Sequence, residues 1–338
     1  VFDKLIEKLH GREDLTESEA TAAMVEIMEG RAAPAQIGGF LIALSMKGES
    51  FAELVGLART MRAQAVQLSR SFTDVFDTCG TGGDRLHTFN VSSLAALTIA
   101  SCGIRVAKHG NRSVSSSSGS ADLFEALGVR VTASPAVVER CLADVGIAFF
   151  FAQTFHPSMR HVGSIRRDLG VRTAFNLLGP LTNPACARRQ IVGVSGPEHT
   201  DLLARALGQL GSERAWVVHG ADGLDEISPT GYTKVAEYRD GRLNTFYLHP
   251  SDLGIEPTSI DALRVSGPEE SFDVAQRVLA GELGPARDFV VVNAAVGLFI
   301  SDGAPSLVAG AAMAAAALDE GRVRQTLDAL VACSQGGE

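Results

Sequence analysis

The first 65 residues carry apolar side chains at helical spacing. A Thr16–Glu19 capping-box pattern precedes Ala20, Ala23, Met24, Ile27 and Met28, and Gly30 ends the run. Pro34 suits a helical first turn, and Ile37, Phe40, Leu41 and Leu44 make the next stripe, up to Gly48. Ser50 and Glu53 form a second capping box before Leu54, Leu57, Ala58 and Met61. Val1-Phe2-Asp3-Lys4 opens an amphipathic helix and not a signal peptide. Helices this short bury little alone, so they are expected to pack on a larger domain or on another subunit.

The pattern changes near residue 74, where short β-rich runs begin to alternate with helical ones. Val75-Phe76 starts the series. Strands are expected at 104–107, 129–131, 147–151, 190–194, 216–218 and 289–292. Helices are expected at 91–101, through Leu123 and Leu127, and from the Ser134-Pro135 cap to about residue 145. The apolar stretch 290–300 reads as a buried strand and the Ala-rich stretch 307–318 as a buried helix. Both are shorter than the roughly 20 residues a bilayer span needs. Residues 232–248, with Asp240-Gly241 at the tip, read as an antiparallel hairpin. Strand–helix–strand alternation implies right-handed crossovers and a mostly parallel sheet with helices on both faces. Such sheets bind ligands at the carboxyl ends of their strands.

Composition narrows the class. Of 338 residues, 46% are hydrophobic and 20% charged, as in an ordinary folded core. The net charge of −9 and the lack of a basic run argue against a nucleic-acid groove. Five widely spaced cysteines without a CxxC pair suggest neither a zinc site nor a disulfide framework. Free thiols point to a reducing, cytoplasmic setting, and no membrane partner is expected.

Two loops carry candidate chemistry, each between a strand and a helix. Gly80, Gly82 and Gly83 lie within four positions and can bring several N–H groups onto one anion, helped by a following helix N-terminus. A plain tight turn explains the same glycines. Asp84 would act through Mg²⁺ or hold the loop by hydrogen bonds. The stretch 108–120 is more specific: Lys108 and Arg112 bring charge, Asn111 an amide, and the serines hydroxyl donors for phosphate or pyrophosphate. A flexible linker is the competing explanation, but the flanking strand and helix leave no linker to make. Asp225-Glu226 follows the 216–218 strand. Adjacent carboxylates can share Mg²⁺ ions that bridge to phosphate, although such a pair alone is usually a solvated surface. His156, His161 and Arg166-Arg167 flank a helix, and no arrangement for covalent catalysis emerges.

In order, GTGGD (80–84), Thr88-Phe89-Asn90-Val91-Ser92-Ser93, KHGNRSVSS (108–116), GSAD (119–122), Arg166, NLLGPLTNP (176–184) and Asp225-Glu226 resemble the anthranilate phosphoribosyltransferase family over nearly the whole chain. The resemblance implies transfer of the 5-phosphoribosyl group from 5-phosphoribosyl 1-diphosphate (PRPP) to anthranilate in tryptophan biosynthesis. It implies a class II nucleoside phosphorylase-like fold, with a small helical domain at 1–70, joined by part of 160–187, and an α/β PRPP-binding domain at 71–338. It also implies a homodimer through the helical domain. PRPP would be met by Gly80, Gly83, Asp84, Thr88, Asn90, Val91, Ser92, Ser93, Lys108, His109, Gly110, Asn111, Arg112, Ser113, Val114, Ser115, Ser116 and Ser120. Gly80, Asn111 and Arg166 would meet anthranilate, and Ser92, Asp225 and Glu226 would hold Mg²⁺. Lys108, His109 and Arg166 would serve catalysis.

The chain departs from the family pattern at Arg85, Ser93, Ser117, Gln153, Phe155 and Ser164. Phe155 and Ser164 bear on the shape of the anthranilate entrance. Two other functions suit the same fold: a pyrimidine nucleoside phosphorylase, which needs no acidic metal pair, and a non-catalytic nucleic-acid-binding relative, which needs a basic face.

Overall fold

The computed structural model describes residues 1–84, 86–112 and 119–337. Four helices open the chain: α1 (Phe2–His10), α2 (Glu17–Met28), α3 (Pro34–Lys47) and α4 (Phe51–Ala63). The capping boxes at Thr16–Glu19 and Ser50–Glu53 both form. Glu53 does more than cap: it is fully buried and accepts from Leu15 N–H at 2.8 Å and from Lys47 Nζ at 3.0 Å, tying α4 to α3 and to the α1–α2 turn.

The rest alternates strands and helices. The order is β1 (Val75–Gly80), α5 (Val91–Ser101), β2 (Arg105–Gly110), α6 (Ser120–Ala126), α7 (Pro135–Asp144), β3 (Ile147–Phe151), α8 (Ala152–Phe155), α9 (Arg160–Leu169), α10 (Ala174–Leu178) and β4 (Arg189–Gly193). Then come α11 (His199–Gln209), β5 (Arg214–Gly220), β6 (Thr233–Arg239), β7 (Arg242–Leu248), α12 (Pro268–Leu279), α13 (Pro285–Ile300), α14 (Leu307–Asp319) and α15 (Arg322–Gln335). The strands form one sheet in the order β3-β2-β1-β4-β5-β6-β7. Pairing is parallel from β3 to β5 and antiparallel from β5 to β7. Asp240 and Gly241 both adopt positive φ at the β6–β7 tip, as a two-residue hairpin of matching twist requires.

Alternate residues send the two sheet faces into two cores. Phe76, Ile191, Trp216 and Val218 join α5 and α13 in one. Cys79, Val192, Ala215 and Val217 join α11 and the N-terminal helices in the other, which also takes Val162, Phe175 and Leu178 of α9 and α10. The N-terminal helices thus pack on the larger part of the chain, with α9 and α10 against α2, α3 and α4.

Two expected strands are absent. Residues 289–292 lie inside the 16-residue helix α13. Its Pro285 start and near-complete burial make it apolar all round, so periodicity alone cannot tell it from a buried strand. Residues 129–131 are a turn between α6 and α7; Val129 and Val131 are buried by core contacts and not by strand pairing. The Ala-rich stretch is α14, a helix as expected.

The chain leaves β1 to build β2 and β3 on one side, then returns to β4 and builds outward on the other. The strand order therefore reverses between β1 and β4, which opens a crevice at their carboxyl ends. Gly80 and Gly193 are paired there.

Candidate active site

A cavity of about 360 Å³ occupies that crevice. β1 delivers Gly80 and the turn Thr81–Asp84 to it, while Thr81 N–H is held by Gly193 O at 2.9 Å. Gly82 and Gly83 have φ of 63° and 93°, the left-handed region that favours glycine. Thr88, Asn90, Val91 and Ser92 bring in the start of α5. Asn90 caps this helix by accepting from Ser93 N–H at 3.3 Å, so its positive end faces the cavity. Ser93 itself is fully buried and does not line the cavity.

The stretch 108–120 starts inside β2, which runs to Gly110. Lys108 is 2% exposed, and its Nζ donates to Thr78 O at 2.6 Å. Beneath it lies Asp77, fully buried in β1. This carboxylate accepts from His109 N–H at 3.1 Å and Asn183 Nδ2 at 2.8 Å, and Asn183 also donates to Ala107 O. Burial raises the Asp77 carboxyl, opposed by the nearby Lys108 charge. Asp77 and Asn183 thereby fix the end of β2 from which Lys108 and His109 project.

Gly110, Asn111, Arg112 and Ser120 complete this wall. Arg112 is engaged by Asp122 at 3.0 Å and Glu125 at 2.7 Å, which raise its pKa. Ser113, Val114, Ser115 and Ser116 lie outside the described residues, as do Arg85 and Ser117.

Asp225 and Glu226 enter from the turn after β5. A Cβ on Gly193 would overlap the Asp225 carbonyl, so glycine is what lets the acidic loop reach the crevice. Asn293 of α13 holds the loop: its Oδ1 accepts from Ile227 N–H and its Nδ2 donates to Ile227 O, both at 3.1 Å. Burial and then the Asp84 charge push the Asp225 carboxyl up to about 7. Burial and then Asp225 push Glu226 well above its ordinary value, and burial raises Asp84. Among the described residues no three His, Cys, Asp or Glu side chains stand at metal-holding geometry. The donors are nonetheless all oxygen, and the charge of their crowded carboxyls is offset only in part, by Lys108 beside Glu226 and Arg172 beside Asp225. Such a set fits a hard cation that keeps water and phosphate oxygens among its ligands, as Mg²⁺ does.

The far end of the cavity is different. Met61, Met159, Phe175, Gly179 and Pro180 make it apolar, and Arg166 of α9 stands over the Phe175 ring at 5.4 Å. Burial lowers the Arg166 pKa, and among the described residues no carboxylate pairs with it. His109 donates from Nδ1 to Gly179 O at 3.1 Å, which leaves Nε2 as a buried lone pair without a partner among the described residues. Burial and then the neighbouring His156 ring push His109 down to about 3. His156, whose ring lies 5.5 Å away, donates from Nε2 to Thr182 O and is pushed down to about 4 by burial. Gln153 lines this end. Phe155 is buried against Phe150, and exposed Ser164 faces away from the lining, so neither shapes the entrance.

Asp77, Asn293 and His156 support or line the cavity without having been assigned a role from sequence. Asp77 had a signal, an acid inside an apolar strand. Asn293 had another, a lone amide inside the apolar stretch 290–300.

Comparisons with known proteins agree with this architecture. Residues 73–324 match the model of the glycosyl transferase family, a/b domain, and residues 3–65 that of the glycosyl transferase family, helical bundle domain. Fold and cavity thus define a glycosyl transferase of helical-bundle-plus-α/β type. The chain is 50% identical over 318 residues to the anthranilate phosphoribosyltransferase of Rhodospirillum rubrum, covering 94% of this chain and 91% of that one. It is 47% identical over 324 residues to that of Symbiobacterium thermophilum, covering 96% and 95%. The crystal structure of anthranilate phosphoribosyltransferase from Thermus thermophilus superposes with a TM-score of 0.91 at 42% identity, covering 98% of this chain and 99% of that one. The Saccharomyces cerevisiae enzyme in complex with PRPP and Mg gives 0.90 at 27% identity, covering 98% and 97%. The chain belongs to the anthranilate phosphoribosyltransferase family.

Proposed function

We propose that the chain transfers the 5-phosphoribosyl group of PRPP to the amine of anthranilate, giving N-(5-phosphoribosyl)anthranilate and pyrophosphate in tryptophan biosynthesis. One observation carries the proposal. A single cavity gathers a glycine turn, a capped helix N-terminus and Lys108 at one end, and at the other a guanidinium over an aromatic ring with no carboxylate partner among the described residues. The first end suits a pyrophosphate. The second suits a flat aromatic ring bearing a carboxylate.

In this scheme PRPP lies along the glycine turn, the α5 N-terminus and the 108–120 stretch. Anthranilate lies against Gly80 and Asn111 with its carboxylate on Arg166. The bond from ribose C1 to the pyrophosphate oxygen breaks, C1 bonds to the anthranilate nitrogen, and that nitrogen gives up one proton to water or to the departing pyrophosphate. Negative charge grows on the leaving group, where Lys108 and loop N–H groups stabilise it. Much of the acceleration is positioning, since the apolar end holds the amine facing C1. Ser92, Asp225 and Glu226 would hold Mg²⁺, which when bound supplies positive charge beside the pyrophosphate oxygens. The neutral His109 Nε2 can accept a hydrogen bond from the amine.

At larger scale, residues 1–70 with part of 160–187 form the helical domain, 71–338 form the α/β domain, and two chains pair through the helical one. The packing of α9 and α10 on α2, α3 and α4 supports that grouping. Among the described residues no helix is long and apolar enough to cross a membrane, and we place the enzyme in the cytoplasm.

Anthranilate fluorescence tests the reaction directly. Its loss should require both PRPP and Mg²⁺, and no PRPP-dependent loss would sink the proposal. The pair Asp225→Asn with Glu226→Gln should shift the Mg²⁺ titration; superimposable titrations would remove the metal assignment.

A further inference from the structure

Arg172 lies behind the glycine turn, outside the cavity lining. Its Nη1 donates to Gly82 O at 2.7 Å and its Nη2 to Thr81 O at 3.3 Å. Each of these carbonyls shares a planar trans peptide with the next residue's N–H, which points the opposite way. Drawing the Thr81 and Gly82 carbonyls back therefore turns the Gly82 and Gly83 N–H groups forward. Both glycines line the cavity, and no described residue accepts from either N–H. Glycines at positive φ have little conformational preference of their own, so something must hold them there. A Cβ on Gly83 would overlap the Arg172 guanidinium, so the cation fills the space a side chain would take. The Arg172 carbonyl in turn accepts from Ser45 Oγ of α3 at 3.4 Å. One residue thus joins the helical bundle to the turn.

We propose that Arg172 is a positioning residue that cocks the glycine turn, so that its N–H groups meet the pyrophosphate of PRPP. The proposal rests on the phosphoribosyl-transfer function above. A guanidinium suits the task because its rigid fork can hold two carbonyls at once, which a lysine ammonium cannot do with fixed geometry. It also polarises both peptides, which strengthens the opposite N–H groups as donors.

Arg172→Ala and Arg172→Lys test this. PRPP affinity is measured by calorimetry with Mg²⁺ and no anthranilate, alongside both KM values, kcat and the melting midpoint. For Arg172→Ala the PRPP Kd and KM should rise by about tenfold or more, while the anthranilate KM and the melting midpoint stay near wild type. Arg172→Lys should fall between, and millimolar guanidinium should restore part of the PRPP affinity of Arg172→Ala. An unchanged PRPP Kd would overturn the proposal. So would an equal loss in both KM values and in the melting midpoint, with lysine no better than alanine, which marks a merely structural residue. If wild type consumes no anthranilate, the transfer function fails by itself, and inorganic pyrophosphate becomes the probe. Weaker pyrophosphate binding by Arg172→Ala would then support the positioning role, and equal binding would overturn it.

Discussion

Arg166 is a partly buried cation facing a cavity, over an aromatic ring and without a carboxylate partner among the described residues. Charge-assisted pairing in such a setting is worth roughly 1.5–3 kcal/mol. Arg166→Ala should therefore raise the anthranilate KM by about ten- to a hundredfold and leave the PRPP KM nearly unchanged; equal anthranilate KM values would exclude the anchor. The histidines make a separate prediction. Folded, His156 stays neutral until the pH falls to about 4, whereas unfolded it takes up a proton at an ordinary 6.5. Between those values the unfolded chain binds a proton that the folded one refuses. Its contribution to stability is thus fully present above 6.5 and lost as pH falls through that window, at up to about 1.4 kcal/mol per pH unit. His156→Gln can keep the bond to Thr182 O, so its unfolding midpoint should fall less steeply with acid than that of wild type. Parallel slopes would show that the imidazole is not held neutral. The cavity-lining residues of 80–84 and 108–112 were legible in the sequence because phosphate chemistry demands glycine, lysine and hydroxyls in a tight run. Arg172 was not, because it acts on the backbone of another segment and no local spacing encodes that; Asp77 stood out as an acid inside an apolar strand, but its partners did not.

At the scale of elements, the strands and helices that bracket the two loops were legible through apolar period and through Gly, Pro and capping residues. The failures share a cause. Helix α13 is apolar on every side, so the 3.6-residue period that would announce it is lost. Val129 and Val131, flanking exposed Arg130, are apolar because a turn can be buried too. Reading α13 as a strand hid a contact, since Asn293 projects from α13 to clamp Ile227 beside Glu226. Asn293→Leu would leave the Ile227 N–H and C=O unpaired in the core, at a cost of about 2–4 kcal/mol. It should lower the melting midpoint and raise the Mg²⁺ concentration for half-maximal activity. If the Mg²⁺ titration of the folded variant overlays wild type, the clamp stabilises the core without shaping the acidic pair.

For the whole molecule, the outer face of the helical bundle carries exposed apolar side chains. Met46 of α3 is 72% exposed and Val171 is 55% exposed, and their chain neighbours Ser45 and Arg172 are in contact. Phe51 at the start of α4 is also partly exposed. Single exposed apolar residues are ordinary, but two on adjoining segments of one bundle suit a surface that is covered in the assembly. A twofold pairing would bury the same patch on both chains, so one added charge appears twice at the interface. Light scattering on wild type should therefore give twice the chain mass, and Met46→Glu should shift the population toward single chains at low micromolar concentration. Because Met46 lies outside the cavity lining, the single chains should still bind PRPP. A wild type that scatters as one chain would remove the dimer. A Met46→Glu variant that stays fully paired would move the interface to another face.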